Sequence, residues 1–154
     1  MANYTVADVK KLREETGAGM MDCKKALEEA GGDFAKATEL VRERGLAKAE
    51  KKADRETSEG YIASYVHATN KIAAMVEILC ETDYVARNED FQAMAKNVAL
   101  HVVAMNPDSV EELLKQEFVK DPSMTVEHMV KEVSGKIGEK FVVSRFVRYE
   151  VGQE

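Results

Sequence analysis

Gly60 divides this chain by period: before it, apolar residues recur every three or four positions, and after it come two runs rich in β-branched and aromatic residues, the second with one face at every second position. A helical period followed by a strand period calls for an α+β chain in which helices cover a small sheet.

The first part reads as three short helices. Thr5 with Asp8 three residues on has the spacing of an N-terminal cap, and Val6, Val9 and Leu12 share one face. Thr16-Gly17-Ala18-Gly19 breaks the pattern, since glycine supplies the backbone freedom of a tight turn. Met20, Cys23, Leu27 and Ala30 make the stripe of a second helix that ends at Gly31-Gly32. Asp33 can cap a third, with Phe34, Ala37 and Val41 inward. Residues 1–45 are therefore expected to form a three-helix unit, which buries little and is better suited to presenting a surface than to enclosing a reaction. Residues 46–59, alanine-rich with Lys48, Lys51, Lys52 and Arg55 at helical spacing, read as a charged helical linker with a solvated basic face.

Residues 60–154 read as the α+β unit. Strands are expected over 61–68 and 71–81 with Thr69-Asn70 as their turn, and Ile72, Ala74, Val76, Ile78 and Cys80 share one face. Asn88 caps a helix whose inward stripe is Phe91, Met94, Val98, Val102 and Met105, closing at Asn106-Pro107. Ser109 and Glu112 have capping-box spacing for a short helix, and Val126 to Ile137 marks a last one, stopped by Gly138. Residues 141–151 return as a third strand. Three antiparallel strands make a narrow sheet whose open edges another protein or a second copy can cover, and a homodimer through the sheet is expected.

Charge follows the same division. Residues 1–58 carry 12 basic and 12 acidic side chains, which leaves 10 and 16 for the rest of a chain whose net charge is −6. Phosphate backbones repel such a chain, so direct nucleic-acid binding is not expected. The longest apolar runs, such as Ile72 to Val76, are a quarter of the roughly 20 residues a membrane span needs. The opening residues lack a signal-peptide pattern and there are two cysteines, so the expected compartment is the cytoplasm.

Motifs for covalent chemistry are weak. TGAGMMDCKK lacks both the Gly-Lys-Ser/Thr ending of a phosphate loop and the preceding strand of a dinucleotide loop, so it reads as a structural turn. Cys23 and Cys80 have no companion ligands, and His67, His101 and His128 sit on separate elements, so neither a metal site, a cofactor nor a catalytic histidine is expected. Met20 and Met21 cannot both face one core, because neighbours on a helix lie about 100° apart; one is expected to face outward, where a thioether suits a protein contact. Glu81 to Asn88, ETDYVARN, lies where a strand runs into a helix. Composition alone favours an acidic helix start with a buried tyrosine, against an acid and an aromatic on an exposed corner that could enter a partner's pocket.

LREETGAGMMDCKKALEEAGGD, KAEKKADRE with EG after it, ETDYVARNEDFQ, FVKDPSMTV and KIGEKFVVSRFVRYEVG together resemble the bacterial elongation factor Ts family, whose members release GDP from elongation factor Tu. The resemblance spans almost the whole chain in one order. It implies a ubiquitin-associated-like N-terminal domain that docks on the partner and an α+β core that carries the exchange corner, without enzymatic activity. Matched position by position, Thr82, Asp83, Tyr84 and Val85 fall on the segment that dislodges the partner's magnesium ion, and Leu12, Arg13, Gly17, Gly19, Met20 and Met21 fall on the docking surface. Tyr84 stands where most members carry phenylalanine, and many members insert a long helical segment after the position of Pro107. An adaptor built on the three-helix unit, with a sheet used only to dimerise, is the competing reading; it has no use for an exposed Asp83-Tyr84 corner. A small metal-dependent hydrolase fails for want of clustered ligands.

Overall fold

Thr5 opens the first helix, α1 (Val6–Thr16), through a reciprocal cap: its hydroxyl accepts the Asp8 N–H at 3.3 Å, and the Asp8 carboxylate accepts the Thr5 N–H at 2.7 Å. These coordinates are a computed structural model that describes residues 3–153. Gly17, at φ 68°, closes α1 by donating its N–H to the Arg13 carbonyl, a backbone state that costs glycine nothing. α2 (Met20–Glu29) and α3 (Phe34–Glu50) follow, the latter capped by Asp33, whose carboxylate accepts the Lys36 N–H. Leu12, Cys23, Ala26, Leu27 and Ala37 are fully buried between the three helices.

α3 is longer than its apolar pattern suggests. It runs through the alanine-rich stretch to Glu50, residues 51–54 form turns, and β1 (Glu59–Val66) follows. Only the first third of residues 46–59 is therefore helical, as the last turn of α3. Its extension brings Gly45 against Gly135 of α7 (Val126–Ile137), and a Cβ on Gly135 would lie 2.2 Å from the Gly45 carbonyl oxygen. The two helix backbones touch where both lack side chains, and Arg42 and Glu132 pair at 3.5 Å beside the crossing.

β2 (Ile72–Cys80) is the middle strand of a three-stranded antiparallel sheet, with β1 on one side and β5 (Val142–Glu150) on the other. The turn between β1 and β2 places Asn70 at φ 57°, a left-handed state that asparagine tolerates. Ala74, Val76, Ile78 and Cys80 are buried under α5 (Glu89–Met105), whose Phe91, Met94, Val98 and Val102 supply the facing layer. Met105, expected in that stripe, is exposed at the helix end, just before Asn106 turns into the left-handed region.

Two elements lie outside the expected set. α4 (Asp83–Ala86) is one turn, and β3 (Glu117–Phe118) pairs with β4 (Asp121–Thr125) in a small separate ribbon after α6 (Val110–Lys115). Elements this short show no period, and Pro122 argues against a strand unless the strand is an edge. The Ser109 cap forms, accepting the Glu112 N–H at 3.1 Å, but the Glu112 carboxylate turns to the Asp108 N–H instead of completing the box. Among the described residues the fold is thus mixed, with seven helices and one three-stranded antiparallel sheet.

Candidate functional site

β2 delivers the chain to a corner. Thr82 caps α4 by accepting the Val85 N–H at 3.3 Å, and Val85 and Ala86 enter the core, so one side of this single turn is fixed. The other side must then face out. Tyr84 is 84% exposed, and Asp83 beside it pairs with Arg87 one turn on, both of them exposed. This overturns the buried tyrosine that composition favoured: in a turn of four residues Val85 and Ala86 already occupy the inward positions. An aromatic ring in water next to a carboxylate is an unusual surface, since burying the ring elsewhere would be favourable by about 2 kcal/mol.

Behind the corner lies a polar clamp that periodicity does not reveal. Glu139, between α7 and β5, accepts the N–H groups of Glu81 and Thr82, each at 3.0 Å, and the Thr82 hydroxyl at 2.6 Å. The Glu81 carboxylate in turn accepts the Lys140 N–H at 3.2 Å and the Arg55 guanidinium at 3.4 Å, and Arg55 also reaches the Gly138 carbonyl. Arg55, read as part of a solvated basic face, is instead tied to the corner. Glu139 has one sequence signal, its place directly after the Gly138 that stops α7.

Cys80 ends β2 beneath this clamp. Burial first, and the nearby Glu139 charge second, push its thiol up to about 11, and its Sγ–H donates to the Thr82 carbonyl. It stays protonated near neutrality, which leaves little thiolate for nucleophilic attack. His101 is fully buried, its Nδ1 accepting the Val119 N–H at 3.1 Å, which leaves Nε2–H to donate to Gln116 at 2.9 Å. Burial lowers its pKa, so it is a neutral core group that ties the β3–β4 ribbon to α5. No group of three or more His, Cys, Asp or Glu is placed to hold a metal among the described residues.

The second surface lies at the start of α2. Met20 and Met21 are 37% and 63% exposed, so both methionines face solvent rather than one. Gly19 caps α2 without a side chain, and Cys23 and Leu27 fill the core, leaving Met20 at the edge of the stripe. Arg13 and Gly19 are exposed with them, while Gly17 is overlain by the Lys136 side chain. Leu12 lies wholly inside, so it supports this surface without reaching a partner, as Val85 does at the corner. The cleft between this unit and α7, lined by Thr16, Asp22, Lys48 and Glu132, encloses about 70 Å³, far less than the 300 Å³ or more of a small-molecule site.

A sequence profile described as Elongation factor TS matches residues 2–112 and 81–154 of this chain. The chain belongs to the elongation factor Ts family. It is 42% identical to elongation factor Ts of Desulforamulus reducens over 99% of this chain and 91% of that protein. Identity is 42% to elongation factor Ts of Nitratidesulfovibrio vulgaris, over 97% of this chain and 98% of that one. Against elongation factor Ts of Aquifex aeolicus it is 52% over 95% of this chain but only 52% of the relative. The Desulforamulus alignment runs to 198 positions, more than the 154 residues here, so that family member carries sequence with no counterpart in this chain. The family is one of translation elongation factors.

Proposed function

We propose that this chain is a guanine-nucleotide exchange factor that binds GDP-bound elongation factor Tu, disturbs its magnesium and phosphate site, and so releases GDP for replacement by GTP. The observation that carries the reading is Tyr84, exposed on a turn whose other side is fixed in the core, with the Asp83 carboxylate next to it. A ring held out in this way can wedge between a partner's side chains. A carboxylate beside it competes for a hard cation or its bound water. The Asp83–Arg87 pair is exposed, and pairs of that kind are worth about 1 kcal/mol or less, so Asp83 is free to exchange partners.

The factor performs no covalent chemistry in this reading. Raising GDP release about 10⁴-fold lowers the barrier by about 5.5 kcal/mol. Loosening the cation that neutralises the phosphates is a source of that size, because it is the largest local charge there. Linkage requires the reverse effect as well: GDP with magnesium weakens binding of the factor.

Residues 1–45, in the manner of a ubiquitin-associated domain, dock through Arg13, Met20 and Met21, with Gly17, Gly19 and Leu12 shaping that surface. Residues 46–59 connect, and 60–154 form the exchange core. The outer face of the sheet is the dimer surface: Ile62, Met75 and Val147 are exposed on it around a shallow groove of about 380 Å³. The working compartment is the cytoplasm. Release of fluorescent GDP from elongation factor Tu tests the proposal. The wild-type chain should accelerate release, and Tyr84→Ala and Asp83→Ala should each lose at least about tenfold of that acceleration. An unchanged release rate with the wild-type chain refutes it, and variants as fast as wild type refute the corner's role alone.

A further inference from the structure

A corner made of one helical turn can act on a partner only if it is held still, and α4 has just four residues. So short a helix has no stability of its own, because nucleation costs more than one turn returns. Val85 and Ala86 anchor its inner side, but burial does not set the direction in which the turn starts. Hydrogen bonds do that. One Glu139 oxygen takes both peptide N–H groups that lead into α4, those of Glu81 and Thr82. The other takes the Thr82 hydroxyl proton, which leaves that hydroxyl's lone pair aimed at the Val85 N–H it caps. Lys140 answers with its own N–H to Glu81, so residues 81–82 and 139–140 hold one another reciprocally.

We propose that Glu139 is the positioning residue of the exchange corner: its carboxylate fixes the start of α4 and thereby the direction of Asp83 and Tyr84. The proposal rests on the exchange reading above. A purely structural role predicts a different pattern. The Glu139 carboxylate faces exposed Thr82, so in Glu139→Ala water can take up the freed donors and the core residues stay where they are. What is lost is preorganisation, and the turn must then be ordered when the corner enters the partner. That slows the step at saturation and leaves docking through α2 intact. Glu139→Gln keeps a carbonyl oxygen for the two peptide N–H groups and loses only the acceptor of the hydroxyl, so it should restore most of the function.

The test is fluorescent GDP release from elongation factor Tu over a range of factor concentrations, with wild type, Glu139→Ala, Glu139→Gln, Asp83→Ala/Tyr84→Ala and the triple variant that adds Glu139→Ala to that pair. Hydrogen exchange at the amides of residues 81, 82 and 85 is read in parallel. The expected result is a saturating release rate about tenfold lower for Glu139→Ala, with half-saturation within about twofold and faster exchange at those amides. Glu139→Gln should lie within about threefold of wild type, and Glu139→Ala should add less than about threefold on top of Asp83→Ala/Tyr84→Ala, because it acts through those two side chains. Equal rates for Glu139→Ala and wild type overturn the positioning role, as do unchanged amide exchange, a change in half-saturation alone, or the full tenfold loss recurring when both Asp83 and Tyr84 are already alanine. A wild-type chain that fails to accelerate release overturns the exchange reading and the positioning role together, so the two failures are distinguishable.

Discussion

Tyr84 and His101 meet water in opposite ways, and each follows from its neighbours. Val85 and Ala86 take the inward side of α4 and leave the ring outside. Tyr84→Ala should therefore change the unfolding free energy by less than about 0.5 kcal/mol while slowing exchange, a separation that urea titration beside the release assay checks. His101 is held neutral by burial, with both ring nitrogens bonded to partners. Its folded pKa lies below the ordinary histidine value of about 6.5, so the unfolded chain binds more protons between the two. Its contribution is complete above about pH 6.5 and is lost as pH falls toward the folded value. Nuclear magnetic resonance titration should show the His101 ring without an inflection at or above pH 6.5, and an inflection there contradicts the assignment. Composition does not say which side of a four-residue turn the core takes, so from the sequence the exposed Asp83-Tyr84 corner is the less favoured reading of its segment.

The elements that were legible are those long enough to show a period. The apolar stripes of α5, Met105 excepted, and of α7 and the alternation of β2 place their buried faces correctly, and the caps at Thr5, Asp33, Asn88 and Ser109 all form. α4 and the β3–β4 ribbon were not, since two to five residues carry no period. The clamp on Glu139 is hidden for a different reason: its partners lie 57 and 58 residues earlier in the chain. The α3–α7 crossing belongs at this scale too: Gly45 and Gly135 let two helix backbones touch. Gly135→Ala meets the Gly45 carbonyl at 2.2 Å, with backbone on both sides and no flexible side chain to yield. It should destabilise the protein by about 1–3 kcal/mol, read as a fall in urea midpoint; an unchanged midpoint would show that the helices separate freely.

At the scale of the whole molecule, the same crossing joins the two surfaces the exchange reading needs. Arg13, Met20 and Met21 sit on the three-helix unit, and Tyr84 sits on the sheet unit, with Arg42–Glu132 and the Lys136 side chain over Gly17 bridging the units. A second copy is the proposed cover for the outer face of the sheet. Light scattering should give a species of about 34 kDa, twice the 17.1 kDa chain, and Met75→Glu should return it to the single-chain mass. Both cysteines are buried, so reductant should leave that mass unchanged. The central claim is that the corner works by loosening the partner's magnesium. It is tested most directly by measuring fluorescent GDP release from elongation factor Tu, with and without this chain, first in millimolar magnesium and then in excess chelator. The account predicts a large acceleration in magnesium that collapses toward unity in chelator, where the cation is already gone, and that Tyr84→Ala loses in magnesium. Acceleration of the same size in both conditions, or retained in full by Tyr84→Ala, would contradict it.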